Sequence, residues 1–245
     1  LNPIFSIITV TYNASHVLER TIQSILSQTY EDIEYIVIDG NSTDGTQDII
    51  RKYDSQIQCW ISEPDESLYD AMNKGLAKAN GDYVWFINAG DEIYSPQTVS
   101  QIVSGLNEKS PDIIYGETQI IDKNGKPLGM RRLRAPEKLN WKSFKMGMLV
   151  CHQSFIVRRE IALPFNLSYH YSSDFDWCIR CMRKTNSIIN SGLILSRFME
   201  AGVTSENRKA SLKERYRVMC RHYGKFSTRM RHLWFALRFM INRKQ

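Results

Sequence analysis

An α/β fold with a mostly parallel central sheet is predicted for this 245-residue chain by three observations. Over roughly its first half, short apolar runs alternate with stretches whose apolar residues recur at helical spacing. The links between them are short, as βαβ units require. The apolar runs end in polar residues, where open parallel sheets gather their ligands.

Phe5–Thr11 reads as a buried strand, followed by a helix over Ser15–Ser27 with Val17, Leu18, Ile22, Ile25 and Leu26 on one face. Tyr35–Asp39 is a second strand, Gln47–Tyr53 a short helix and Cys59–Ser62 a third strand. Leu68–Ala79 aligns Tyr69, Met72, Leu76 and Ala79 as a helix stopped by Asn80 and Gly81. Tyr83–Ile87 is a fourth strand. Ser95 and Pro96 open a helix carrying Ile102, Val103 and Leu106, with proline in the favoured first position. After a strand at Ile113–Tyr115 the rhythm changes. Gln119–Asp122 and Leu128–Leu133 flank Asn124-Gly125 as a hairpin. Ser154–Val157 reads as a strand and Asp174–Lys184 as a helix. The second half is a mixed α+β extension of the same sheet.

Charge divides the chain. Residues 206–245 carry twelve Lys or Arg against two Glu, whereas residues 1–205 carry 20 basic and 24 acidic residues. The expected organisation is one domain over 1–205, in two halves (1–115 and 116–205), followed by a basic helical tail, 206–245. A basic tail on a mildly acidic body is expected to meet an anionic surface at the tail. Phe226, Met230, Leu233, Trp234, Leu237 and Ile241 fall on one helical face there, with Arg229, Arg231, Arg238 and Arg243 beside them. An apolar stripe among arginines favours an anionic membrane interface over nucleic acid, with packing on protein as the competing reading. No apolar run reaches the roughly 18 residues needed to span a bilayer, and Leu1–Phe5 does not read as a secretory signal. Five cysteines without framework spacing favour a reducing compartment, so a cytoplasmic protein at the inner face of a membrane is expected. Cys178 and Cys181 lie within a helical pattern and read as core residues.

The strand ends concentrate amides, hydroxyls and carboxylates: Thr11-Tyr12-Asn13, Asp39–Thr46, Ser62–Glu66 and Asn88–Glu92. Any one could be a turn or helix cap, as Asp44 or Thr46 could be. Four on one rim build a polar pocket. There is no G-x-G-x-x-G after the first strand and no G-x-x-x-x-G-K-[ST], so dinucleotide and nucleoside-triphosphate loops are missing. An acidic rim holds a polyphosphate through a divalent cation, since bare carboxylates repel it.

Ser6–Asn13 (SIITVTYN), Ser24–Tyr30 (SILSQTY) and Tyr35–Thr46 (YIVIDGNSTDGT) resemble the opening of family 2 glycosyltransferases of the GT-A fold. Ser62–Gly75 (SEPDESLYDAMNKG) and Phe86–Asp91 (FINAGD) are similar to a bacterial branch that makes surface polysaccharides. The resemblance implies an inverting transferase moving a sugar from a nucleotide-diphosphate sugar to a glycan or lipid-linked glycan. It implies that Val10 and Tyr12 line the nucleobase pocket and that Asp39 accepts the imide N–H of the base. Such an acceptor favours uracil or thymine over adenine and cytosine and leaves guanine possible. Asp65, Asp70 and Asn73 fall in the segment that approaches the donor, with Asp70 and Asn73 one helical turn apart. Asn88–Asp91 stands at the family's Asp-x-Asp metal motif and keeps only its last acid. Asp91 is therefore the implied ligand for Mg²⁺ or Mn²⁺. Tyr171–Arg180 (YSSDFDWCIR) is similar to the segment carrying the family's base, which places the base at Asp174, with Ser173 where Glu is common. Asp174 could instead cap its helix. Asp176 reads as a structural partner of Arg180. His152 and Gln153 stand at an acceptor-side segment, and Gly202–Ser205 resembles a loop closing over the diphosphate. Two other readings stay open: a non-catalytic nucleotide-sugar-binding protein, and a sugar nucleotidyltransferase, which would need a Gly- and Lys/Arg-rich loop near the first strand.

Overall fold

A computed structural model describes residues 3–106, 109–200 and 208–242. The Gly202–Ser205 loop, Arg243, and the side chains of Leu237, Arg238 and Ile241 lie outside what is described. In chain order the strands are β1 Phe5–Thr11, β2 Ile33–Asp39, β3 Cys59–Ser62, β4 Tyr83–Phe86, β5 Glu92–Ile93, β6 Ile113–Ile121, β7 Pro127–Met130, β8 Phe155–Arg158 and β9 Ile188–Met199. The helices are α1 Ser15–Leu26, α2 Thr46–Lys52, α3 Leu68–Lys78, α4 Thr98–Leu106, α5 Ser173–Met182, α6 Arg208–Tyr223 and α7 Lys225–Asn242.

Among the described residues the strands form one nine-stranded sheet in the order β3-β2-β1-β4-β8-β6-β9-β5, with β7 paired to β6. The β1–β2, β1–β4 and β2–β3 pairs are parallel, as expected for the first half. Beyond β4 the sheet is mixed: β8 runs antiparallel to both β4 and β6, while β9 lies parallel to β6. The period-two pattern of β1 faces two cores. Phe5 and Ile7 pack with Leu18, Ile22, Ile50 and Ile102 on one side, and Ile8 and Val10 with Met72, Phe86 and Trp177 on the other. Both faces of the sheet are thus covered by helices, which is why its parallel strands are apolar throughout. Close packing of α3 depends on Gly75, where an added Cβ would lie 2.4 Å from Ile8 Cγ2.

Several expectations are corrected. α4 begins at Thr98, so Pro96 lies before it. The Ser95 N–H donates to Thr98 Oγ1, and the Pro96 carbonyl is drawn out by the Thr29 N–H at 2.8 Å. The two strand pieces expected around residue 115 are one strand, β6. β9 went unpredicted: polar Asn190-Ser191-Gly192, with Gly192 at φ 71°, interrupts its apolar pattern. Val218 and Met219 of α6 are buried in the same core as Phe175 and Trp177. Cys178 and Cys181 are buried and unpaired, and burial pushes the Cys181 thiol up to about 12.

Candidate active site

Parallel register brings Thr11, Asp39 and Ser62 side by side at the ends of β1, β2 and β3. Two non-glycine residues just beyond these ends, Asn13 (φ 46°) and Asn41 (φ 62°), adopt left-handed backbone. Such conformations persist where surrounding bonds fix them. Here the Asn13 N–H donates to Ser42 Oγ at 2.8 Å, and Asn13 Oδ1 accepts from the Thr43 N–H at 2.9 Å. Asp44 and Thr46 take the Ser15 and Ala14 N–H groups at the start of α1, so these two are structural caps.

The strand ends open on a cleft of about 1390 Å³, walled across from them by residues 152–153, 170–171, 174 and 198–200. That exceeds the usual volume of a small-ligand pocket, roughly 300–1,000 Å³, and gives room for two substrates. Val10, Tyr12, Asp65, Asn88, Asp91, His152, Gln153 and Asp174 all line it. Asn88 Oδ1 and Thr11 Oγ1 are buried in its wall without hydrogen-bond partners among the described residues. Unmet acceptors at a cleft mark positions where a ligand supplies the donor.

Three sequence-expected residues are not on that wall. Asp39 is fully buried at the end of β2, accepting from the Ser42 N–H (3.0 Å), the Ser62 hydroxyl (2.6 Å) and the Ser42 hydroxyl. On the cleft side of it stands Asp65, whose Oδ2 lies 2.9 Å from where a Gly40 Cβ would be, beside the Tyr12 ring. Asp70 ties down the start of α3: its N–H donates to Oγ of the N-cap Ser67 and its Oδ2 accepts the Glu66 N–H. Asn73 clamps the Phe165 backbone, accepting its N–H at 2.6 Å and donating to its carbonyl at 3.0 Å. Spacing put Asp70 and Asn73 on one side of a helix, but local backbone claims both. Lys74, which sequence reasoning passed over, bridges Glu63 (3.0 Å) and Asp65 (2.6 Å). Burial alone would lower its pKa, but these carboxylates raise it.

On the far wall Asp174 sits in the first turn of α5. Its Oδ1 accepts from the Phe175 N–H at 2.8 Å and the Tyr69 hydroxyl at 3.2 Å. Its Oδ2 lies 3.3 Å from His152 Nδ1, and His152 Nε2 lies 3.4 Å from Asn88 Nδ2. An Asn88–His152–Asp174 relay thus crosses the cleft floor. Burial pushes the Asp174 carboxyl up, but His152 and the charge of Arg215 outweigh it and hold the group below its ordinary value. It is therefore ionised at neutral pH and competent to take a proton.

Asp91 is the buried carboxylate on the strand-end side. Oδ2 accepts from Gln153 Nε2 at 2.7 Å and Oδ1 from the Met199 N–H at 3.0 Å. Burial dominates and pushes its pKa up to about 6, and among the described residues no Lys or Arg pairs with it. A carboxylate so placed fits a divalent cation as one ligand. Among the described residues no cluster of three or more His, Cys, Asp or Glu could hold an ion alone, so other ligands would come from the substrate.

α6 braces the far wall. Glu214 accepts the His170 N–H at 2.8 Å and the Tyr171 N–H at 2.6 Å, and His222 Nε2 lies 2.7 Å from Asp176, which also binds Arg180 at 2.5 Å as expected. Nothing in the spacing of residues 170 and 214 foretold this. Glu214→Gln leaves one backbone donor facing an amide N–H. It should lower stability in urea unfolding by about 1 to 3 kcal/mol. A variant as stable as the parent would remove Glu214 from this brace.

A doubly covered sheet whose parallel strand ends face an acidic cleft, closed by a mixed second half, is the architecture of the GT-A fold. The chain belongs to glycosyl transferase family 2, whose pattern matches residues 6–163. It is 31% identical over 220 residues to a PGL/p-HBAD biosynthesis glycosyltransferase of Mycobacterium tuberculosis, covering 86% of this chain and 79% of the relative. It is 26% identical to the Escherichia coli UDP-Glc:alpha-D-GlcNAc-diphosphoundecaprenol beta-1,3-glucosyltransferase WfgD, over 87% of this chain and 84% of that one. In fold it is similar to S. aureus TarS 1–349 in complex with UDP-GlcNAc (TM-score 0.68, 18% identity, 92% of this chain and 69% of that one). It is similar also to the mannosyltransferase PcManGT from Pyrobaculum calidifontis in complex with GDP-Man and Mn²⁺ (TM-score 0.66, 16% identity, 90% and 65%).

Proposed function

We propose that the chain moves a sugar from a UDP-sugar to a hydroxyl of a glycan or lipid-linked glycan, with inversion, at the cytoplasmic face of a membrane. The observation that carries this reading is the Asp174 carboxylate on the cleft wall facing the strand ends, its Oδ2 3.3 Å from His152 Nδ1. The acceptor oxygen attacks the anomeric carbon from the side opposite the diphosphate. The bond from that carbon to the diphosphate oxygen breaks, and the acceptor proton passes to Asp174. A carboxylate suffices because the hydroxyl becomes acidic only as attack proceeds. Asp91 would hold a Mg²⁺ or Mn²⁺, which when bound neutralises charge on the leaving diphosphate.

Support for the donor comes from the UDP-glucose in the name of WfgD and the UDP-GlcNAc bound by TarS. Support for the metal comes from the Mn²⁺ in the mannosyltransferase complex. The WfgD name also carries a lipid-diphosphate acceptor. Base choice falls to the carboxylates flanking Gly40: Asp65 on the cleft side, and Asp39 once a Ser42 or Ser62 hydroxyl turns away. Either accepts the imide N–H of uracil, while cytosine presents a lone pair there.

Thermal stabilisation by a panel of nucleoside diphosphates and their sugars with Mn²⁺ tests the reading. UDP should bind more tightly than CDP by about 1 to 3 kcal/mol. Equal affinities would sink the assignment of these carboxylates. Stabilisation by a UDP-sugar without transfer or hydrolysis would instead identify a binding protein.

A further inference from the structure

The α6–α7 hairpin carries a surface that the reaction does not use, and its role is independent of which donor and acceptor the cleft takes. Gly224, at φ 84°, reverses the chain between the two helices. The inner side of α7 is seated: Thr228 is buried, and Arg231 Nη1 lies 3.1 Å from Met146 Sδ. Over its described side chains, residues 225–234, its outer side is exposed and apolar. Phe226, Met230 and Leu233 are 79%, 52% and 56% exposed at i, i+4 and i+7, one continuous face. Lys225 and Arg229 are exposed on the same helix.

A basic and aromatic shelf adjoins the start of α7. Trp141 and Tyr223 stack with centroids 5.7 Å apart, Arg183 lies over the Trp141 ring and Lys145 over the Tyr223 ring. Glu214, the one acid among the described residues of α6 and α7, is turned inward to hold the His170–Tyr171 backbone. The outer face is therefore apolar with cationic borders and no described acid. Among the described residues no helix is long and apolar enough to cross a membrane.

We propose that this face docks on an anionic lipid bilayer, with the apolar side chains entering the headgroup boundary and the cations meeting lipid phosphates. Charge decides the occupant. A second copy would bring the same cationic border against this one, and like charges repel. An anionic bilayer complements both the apolar and the basic residues.

Co-sedimentation of the full chain with vesicles tests the proposal. Binding should occur to phosphatidylglycerol-containing vesicles, be weak to pure phosphatidylcholine, and fall as salt rises. The triple variant Phe226→Ser, Met230→Ser, Leu233→Ser should lose binding about tenfold or more. Lys225→Gln and Arg229→Gln should each lose it roughly fivefold. All five positions are exposed, so circular dichroism should report an unchanged fold. Failure of the parent to bind anionic vesicles at low salt would overturn the proposal, as would a triple variant that binds like the parent. Sedimentation velocity showing a dimer that the triple variant abolishes would assign the face to a second copy.

Discussion

Asp174→Asn should lower turnover by about 10² to 10⁴ while leaving UDP affinity close to that of the parent. The substitution isolates chemistry from architecture. Asparagine keeps Oδ1 as an acceptor for the Phe175 N–H and the Tyr69 hydroxyl, so the first turn of α5 is preserved. Burial pushes the Tyr69 hydroxyl up, so it stays a donor toward that oxygen. What is removed is the proton-accepting capacity, together with the Oδ2 contact to His152. Turnover equal to the parent's would take Asp174 out of the mechanism. The 3.3 Å approach of His152 supports a second assignment, in which His152 takes the proton and Asp174 orients it. His152→Gln separates the two. With Asp174 as base the loss should be much smaller than for Asp174→Asn; with His152 as base the losses should match.

Asp91→Asn should move stability and binding in opposite directions. Burial raises the Asp91 pKa from 3.8 to about 6. A raised folded-state pKa means that stability is greatest where the group is protonated, below about pH 4. That contribution is lost as pH rises through about 6. At pH 7 the charged form therefore costs about 2 to 3 kcal/mol, which asparagine avoids. Urea unfolding should find the variant more stable than the parent at pH 7, with the difference shrinking toward pH 4. Gln153 accommodates the change by turning its amide, since its Oε1 now accepts only from the Cys151 thiol. The same variant should weaken Mn²⁺-dependent UDP binding roughly tenfold or more, about 1.4 kcal/mol, and leave uridine binding little changed. Equal losses for UDP and uridine would make Asp91 structural. A carboxylate that destabilises the free fold and serves a ligand is the kind of trade expected at functional sites.

How far the site could be read from the chain depended on what each signal encodes. Polar strand ends were legible because a parallel sheet delivers the ends of β1, β2 and β4 to one rim whatever their loops do. Asp91, Asn88, His152 and Asp174 were reached in this way or by resemblance, and all four line the cleft. Asp39, Asp70 and Asn73 carried equally good sequence signals. Periodicity says which way a side chain points, not which neighbours its atoms already meet. Ser42 and Ser62 occupy Asp39, Glu66 occupies Asp70, and the Phe165 backbone occupies Asn73.

By itself, the sequence determined the parallel half of the sheet, its helices, the family and the location of the acidic rim. These follow from local periodicity and short-range motifs, which need no knowledge of distant contacts. Only the tertiary structure decided the rest. It paired β9 with β6, put Asp65 beside Gly40 and the Tyr12 ring, set His152 between Asn88 and Asp174, and folded α6 against the far wall through Glu214 and His222. Each of these joins residues far apart in the chain. Their energy comes from burial and hydrogen bonds that exist only once the layers have packed, so no local pattern records them.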